Sequence, residues 1–415
     1  MTKRRTSTLK VTAFGLVLSA GIAAIIGSGG GGDVIPPFWS SAGIVVDDFD
    51  ADGRADVAVA SAYIAGPPPH PGYIRIYRQG ADGSYAGPVA YRIGPDPWGL
   101  SAGDINNDGR TDMVAATPAT VPRQVGVIND SGEISILRQD GANAGTFLSV
   151  QRLSTGGSAN DAAIAQLSDD TLADIVVADG VYLNGRALLF VQDPGAPGFF
   201  LSPASLLVGT GHGSADLAVG DVNGDGRSDV VLAVNDLVAV FYQNAGGGFD
   251  PVQTLPAGTN ANGVALADLD GDMRTDIVIA NAGNAPDGGT GGATVTILLQ
   301  LAAGSFTASN IAVADGALRV AIEDLNDDTF PDLAVISLVY QSQINSRISV
   351  LLQSAVTRGQ FAVAGVYEGP FTGNFIAAGD INNDTLNDIV VNDGPVVLFQ
   401  RASAKGTFDP AQSLP

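Results

Sequence analysis

Asp221-Val222-Asn223-Gly224-Asp225-Gly226-Arg227-Ser228-Asp229, followed by Val230-Val231-Leu232-Ala233, is the stretch on which the fold turns. Oxygen-bearing side chains stand at positions 1, 3, 5 and 9 of a nine-residue turn, and an apolar run follows at once. Copies begin at Asp48, Asp104, Asp268, Asp324 and Asp380, and a degraded copy begins at Gln166. Successive starts lie 47 to 62 residues apart. That period suits propeller blades and is too long for most solenoids.

Each copy carries the same flanks. An apolar run precedes the loop, as in Leu217-Ala218-Val219-Gly220, and a second follows it, as in Ile277-Val278-Ile279-Ala280. A third, alternating run comes later, as in Ile348-Ser349-Val350-Leu351-Leu352. An aromatic closes the unit: Tyr85, Phe147, Phe199, Phe249, Phe306, Phe361 and Phe408. Four short β-rich segments separated by Gly and Asp turns are predicted per copy, here labelled A to D outwards from an axis. One four-stranded sheet cannot bury both of its faces alone. Seven sheets packed radially can, and only short edges remain exposed. The predicted fold is therefore all-β, a seven-bladed propeller of antiparallel four-stranded blades over 33–415, with the Asp loop joining strands A and B. The repeat resembles the FG-GAP/VCBS family, the blade unit of the integrin α-subunit propeller. The resemblance implies adhesion, sugar binding or, occasionally, catalysis.

The first 32 residues read as a signal peptide and Gly-rich leader. Lys3, Arg4, Arg5 and Lys10 precede an uncharged, mostly apolar stretch at 11–26. Sixteen residues are short for a bilayer span of about 20, so cleavage is favoured over an anchor. Export to the periplasm, cell surface or medium is the expectation. There is no cysteine, which excludes disulfides, thiolate metal sites and a cysteine nucleophile. The formal charge of −23 repels phosphate backbones and anionic lipid, so neither nucleic acid nor a membrane is an expected partner of the mature chain, which is expected to be a monomer.

The loops predict calcium sites. A hard cation that takes six to eight oxygens at roughly 2.3–2.6 Å is served by alternate side chains of one tight turn. The ligand sets are Asp48, Asp50, Asp52 and Asp56; Asp104, Asn106, Asp108 and Asp112; Asp221, Asn223, Asp225 and Asp229. They continue as Asp268, Asp270, Asp272 and Asp276; Asp324, Asn326, Asp328 and Asp332; Asp380, Asn382, Asp384 and Asp388. The third loop offers Gln166, Ser168, Asp170 and Asp174 and is expected to hold its turn without metal, leaving about six structural ions. An EF-hand is excluded, because position 12 is Val59, Ala115, Leu232, Ile279, Val335 or Val391 where that motif needs Glu. No Lys or Arg side chain occupies a liganding position, so the carboxylates are expected to repel one another when metal is absent. Position 6 is Gly53, Gly109 and Gly226, but Met273, Thr329 and Thr385 in the later loops. Those three turns are either strained or built differently.

The B–C and D–A connections form the other face and hold the long insertions, at 62–72, 117–132 and 281–292. Trp98 could stack on a sugar there and Arg123 could grip a carboxylate. Only two histidines exist, His70 and His212, in different repeats, and no hydrolase, zinc-protease or phosphate-loop motif occurs. No catalytic residue is assigned. The chain reads as a calcium-bearing binding, adhesion or structural module for a protein or glycan, and a polysaccharide-active lyase or hydrolase on the same fold is the alternative.

Overall fold

The computed structural model describes residues 38–414, apart from 65–69, 119–131, 181–183, 211–213, 284–291, 303, 341–343, 370–372 and 393. The leader, Arg123, His212 and most of the long insertions lie outside the described residues. Among the described residues there are seven four-stranded sheets and no helix. Each sheet is built from four consecutive strands paired in sequence order, so every blade is an antiparallel meander. The blades span 38–93, 99–154, 159–210, 214–256, 261–312, 316–368 and 376–413.

Burial explains the patterning. Strand B of blade 4, Asp229–Val234, is buried at every residue, because neighbouring blades cover both of its faces. Strand D of the same blade, Gln253–Pro256, alternates half-buried and exposed, as an outer edge should. The core is accordingly divided into seven apolar clusters, one at each junction between blades. The last joins Ile44, Val57, Val59 and Tyr77 of blade 1 to Phe375, Ala377, Ile381, Val390 and Val397 of blade 7. Among the described residues the ring thus closes by face-to-face packing, with no strand exchanged between the first and last blades.

The inner strands crowd at the axis. Five of them carry a register shift close to the axis, in blades 1, 3, 4, 5 and 6. Gly99 sits there because a Cβ would lie 2.5 Å from the Asp161 carboxylate. Asp161, Asp216 and Arg319, from blades 3, 4 and 6, are buried at this level. The Arg319 guanidinium donates to the Asn262 carbonyl at 2.6 Å, faces Asp216 at 3.9 Å and lies 5.7 Å from the Phe375 ring centre. Loss of hydration lowers its pKa, and the two carboxylates oppose that.

A second buried polar feature repeats in every blade. The position-9 Asp, at the start of strand B, is fully buried in all seven copies. One of its oxygens accepts the backbone N–H of position 2. The other accepts the backbone N–H of a glutamine just past strand C or at its end. In blade 1 these are Phe49 N–H to Asp56 at 3.1 Å and Gln79 N–H to Asp56 at 2.9 Å. The glutamines of the other blades are Gln139, Gln192, Gln243, Gln300, Gln353 and Gln400. Each glutamine also pairs with the late aromatic: Tyr85, Phe147, Phe200, Phe249, Phe306, Phe361 or Phe408. In blade 3 the paired residue is Phe200, and not Phe199 as the aromatic pattern predicts; Phe199 is 64% exposed. The glutamine lies six or eight residues before its aromatic in every blade, and eight from Gln192 leads to Phe200.

This latch should stabilise the fold without metal, and blade 3 isolates it. Asp174→Ala removes two charge-assisted bonds and leaves two buried N–H groups unpaired, so it should cost about 3 kcal/mol. Urea unfolding in excess chelator measures the loss. A loss below about 1 kcal/mol would mean that the latch is a consequence of the fold and not a support.

Candidate metal loops

The Asp loops all turn on the same face. In each acidic loop the position-1 Asp caps the turn from inside: Asp48 accepts the N–H of Asp52 at 3.0 Å and of Gly53 at 2.7 Å. Asp104, Asp221, Asp268, Asp324 and Asp380 do the same in their loops. Position 5 then accepts the N–H of position 7, as Asp225 does from Arg227 at 2.9 Å. These bonds curl the chain so that its remaining oxygens converge. Carboxylate oxygens of Asp48, Asp50 and Asp52 lie within 4.8 Å of one another, and so do those of Asp268, Asp270 and Asp276. Two oxygens each about 2.4 Å from one ion can be at most about 4.8 Å apart, so both trios are compact enough to share a hard cation. At position 3 the Oδ1 of Asn106, Asn223, Asp270 and Asn382 accepts the N–H of position 5, whereas two oxygens are left over. Asp50 Oδ1 and Asn326 Oδ1 are buried and accept no hydrogen bond. In three loops the Asn at position 3 turns its Nδ2 to the position-5 carboxylate, at 3.1 Å for Asn106 to Asp108 and 3.0 Å for Asn326 to Asp328 and Asn382 to Asp384. The two trios therefore fit a hard cation, drawn from positions 1, 3 and 5 in the Asp48 loop and from positions 1, 3 and 9 in the Asp268 loop.

Position 9 has a second task, since both oxygens of each of these carboxylates also serve the backbone latch, and Asp276 still stands in the oxygen trio of its loop. The loops are also not bare of counter-charge. The position-7 side chains of Arg54, Arg227 and Arg274 fold back onto Asp52, Asp225 and Asp272. The expectation of carboxylates without counter-charge is thereby corrected for these three loops, because the arginines stand at position 7, beside the liganding positions and not at one of them. The Arg110 side chain goes instead to Gln139 at 3.4 Å and Gly141 at 3.0 Å, while Phe330 and Leu386 stand at this position in blades 6 and 7.

Position 6 resolves in favour of strain. Its φ is 87° at Gly53, 82° at Gly109 and 84° at Gly226, and 66° at Met273, 75° at Thr329 and 76° at Thr385. All six loops share one left-handed geometry, and two of them force it on a β-branched residue. The third loop has no left-handed residue. Its turn is spanned by the Gln166 side chain, which donates to the Asp170 carbonyl, and by Leu172 N–H to Asp170 at 2.8 Å.

On the opposite face, Trp98 is half-buried against the core between blades 7 and 1. His70 faces Asp96 across 2.7 Å, and two backbone bonds join the same pair: His70 N–H to the Asp96 carboxylate at 3.0 Å and Asp96 N–H to the His70 carbonyl at 3.1 Å. The pair clamps the B–C connection of blade 1 to its D–A connection.

A model of the FG-GAP-like repeat matches residues 48–115 and 221–279, and a model of the FG-GAP repeat matches 97–137. Residues 48–137 and 221–279 are thus similar to FG-GAP repeats. No curated protein sequence matches the chain. Among solved structures, the propeller is similar to the rhamnogalacturonan lyase PL11 of Bacillus licheniformis, with a TM-score of 0.49 and 12% identity over 92% of this chain and 73% of that one. It is similar to the rhamnogalacturonan lyase YesW, with a TM-score of 0.46 and 14% identity over 88% and 72%. It is also similar to the exotype lyase YesX, with a TM-score of 0.49 and 12% identity over 86% and 72%. These similarities concern the fold.

Two predictions concern the Asp loops. Thr385→Gly should relieve the left-handed strain and stabilise the protein by about 0.5–1 kcal/mol, whereas Gly226→Thr should cost a similar amount. Thermal unfolding of the two variants checks both signs. The second concerns pH. Burial pushes Asp56, Asp332 and Asp388 up to about 7 and Asp112, Asp229 and Asp276 up to about 6, against the pull of their two N–H donors. The folded metal-free protein thus holds these protons more tightly than the unfolded chain does. Its melting temperature in chelator should fall as pH is raised from about 5 to about 8. A rise over that range would show that the carboxylates are stabilised as anions without metal.

Proposed function

We propose that this chain is an exported, calcium-loaded propeller that binds a protein or glycan through the face opposite its Asp loops. The observation that carries the reading is the convergence of unused oxygens in the loops, Asp50 Oδ1 and Asn326 Oδ1 above all. Calcium fits better than magnesium, because these short turns offer many oxygens with flexible spacing and no preset octahedron. The expected ions are structural. Each would be held mostly by residues of its own turn and would fasten strand A to strand B. The opposite face, where chain lengths vary between blades, is then carried on a stiff frame, the usual arrangement for a recognition surface. Binding is favoured over catalysis because the histidine described on that face is engaged with Asp96 as a clamp between two connections.

Calorimetric titration should give about six ions per chain, one for each acidic loop, and Asp225→Ala should remove one. An ion that binds only the folded state stabilises it by about 2.7 kcal/mol at a hundredfold excess over its dissociation constant, so chelation should lower the melting temperature by more than about 10 °C. Equal melting temperatures in chelator and in millimolar calcium would refute the metal reading. The binding reading is checked on a glycan array and against surface proteins, with and without calcium. Release of unsaturated or reducing ends from an acidic polysaccharide by the purified protein would replace it with the enzyme alternative.

A further inference from the structure

Six of the seven blade junctions are crossed by the chain, which runs from strand D of one blade into strand A of the next. Among the described residues the junction between blades 7 and 1 has no such crossing and no exchanged strand. It also borders the slightest sheet. The strands of blade 7, Ile376–Gly379, Asp388–Val391, Val396–Leu398 and Gln412–Ser413, have four, four, three and two residues. The seam is where a ring of this kind should open first, since opening elsewhere must also work against the connecting chain.

The polar contacts at the seam are unusual in one respect. Elsewhere a glutamine reaches back to the carbonyl of position 2 in the preceding Asp loop: Gln192 to Ile105 at 3.0 Å, and Gln300 to Val222. At the seam Gln79 makes the same bond to Ile381. Here the late aromatic is Tyr85, where the other six blades have Phe. Its hydroxyl lies 2.8 Å from the Ile381 carbonyl of blade 7 and 2.6 Å from the Ala55 carbonyl of blade 1. One phenol hydrogen thus serves two acceptors. Ile381 immediately precedes Asn382, and Ala55 immediately precedes Asp56, so the two carbonyls belong to the peptide units that lead into a predicted ligand in each loop.

We propose that the ring is closed by a calcium-tightened clasp: Gln79 and Tyr85 of blade 1 grip the Asp380 loop of blade 7, and cations in the Asp48 and Asp380 loops hold rigid the two backbone segments that the clasp joins. The proposal rests on the calcium reading above. With both loops ordered, Tyr85 meets two fixed acceptors. With either loop loose, an acceptor moves and the phenol grips one side only. Calcium then controls ring closure as well as local turn stability.

The test uses the full chain and the variants Tyr85→Phe, Gln79→Met and, as an interior control, Gln300→Met. In millimolar calcium Tyr85→Phe should lower the melting temperature by about 2–4 °C, and in excess chelator by under about 1 °C. Amide exchange in the wild-type protein gives a second readout that does not depend on the variants folding. Chelation should speed exchange in the inner strands at the seam, Phe38–Asp47 and Ile376–Gly379, roughly tenfold more than in Ser214–Gly220 of blade 4. Gln79→Met should add to the excess at the seam, and Gln300→Met should not. A wild-type protein indifferent to calcium overturns both this proposal and the calcium reading. A calcium-dependent protein whose seam exchanges like blade 4, or in which Tyr85→Phe costs the same with and without calcium, overturns the clasp alone.

Discussion

One buried carboxylate per blade carries the architecture. The Asp at the start of strand B accepts an N–H from the turn behind it and another from the glutamine near the end of strand C, so it fixes the A–B turn and the edge of the C–D turn together. A carboxylate is the right group for this. It offers two acceptors at a fixed separation, and its bonds to backbone N–H are stronger than those of an amide. Its burial is costly, as the raised pKa values of these residues record, and the two N–H groups are what offset that cost. Blade 3 shows the hierarchy. It has lost the Asp of position 1 and the Asp or Asn of position 3 and keeps Asp174, with both latch bonds intact.

The other metal-ligand candidates, at positions 1, 3 and 5, are built outwards from that latch. Position 1 is spent largely on curling the turn and position 5 on receiving position 7, while position 3 keeps an oxygen that no protein group satisfies at Asp50 and at Asn326. The double left-handed turn gathers these oxygens at a backbone cost that Thr329 and Thr385 bear without the relief glycine would bring. The arginines at position 7 lessen the repulsion in three loops: they offset the fourth acid of the Asp48 and Asp268 loops and leave the three-acid Asp221 loop with the smallest excess of negative charge. The six loops are thus alike in backbone and unlike in electrostatics.

The two faces of the ring differ. The face bearing the Asp loops is repetitive, because each turn there has the same local geometry. The opposite face is where the chain varies in length from blade to blade. A ring with one repetitive and one variable face would suit the proposed recognition role, because loops carried on a stiff frame need not fold by themselves.

The blade count, the four strands, their order within a blade and the placement of the Asp loops were all legible in the sequence. Each depends on residues close together in the chain: apolar periodicity, a nine-residue turn and a spacing that repeats. The loop acids were legible for the same reason. What only the tertiary structure decided involves partners distant in sequence. The seven glutamines look like ordinary polar residues until their backbone and side chains are seen against Asp loops, and the spacing from glutamine to aromatic that would have revealed them also corrects Phe199 to Phe200. The axial group of Asp161, Asp216 and Arg319 comes from three blades, and no local pattern marks it. Ring closure was equally invisible. Nothing in a repeat says that its first and last copies meet face to face, and the substitution of Tyr85 for Phe acquires meaning only when blade 7 lies against it. Short-range geometry is written in residue spacing, whereas contacts across the ring exist only once seven twisted sheets have come round to the first.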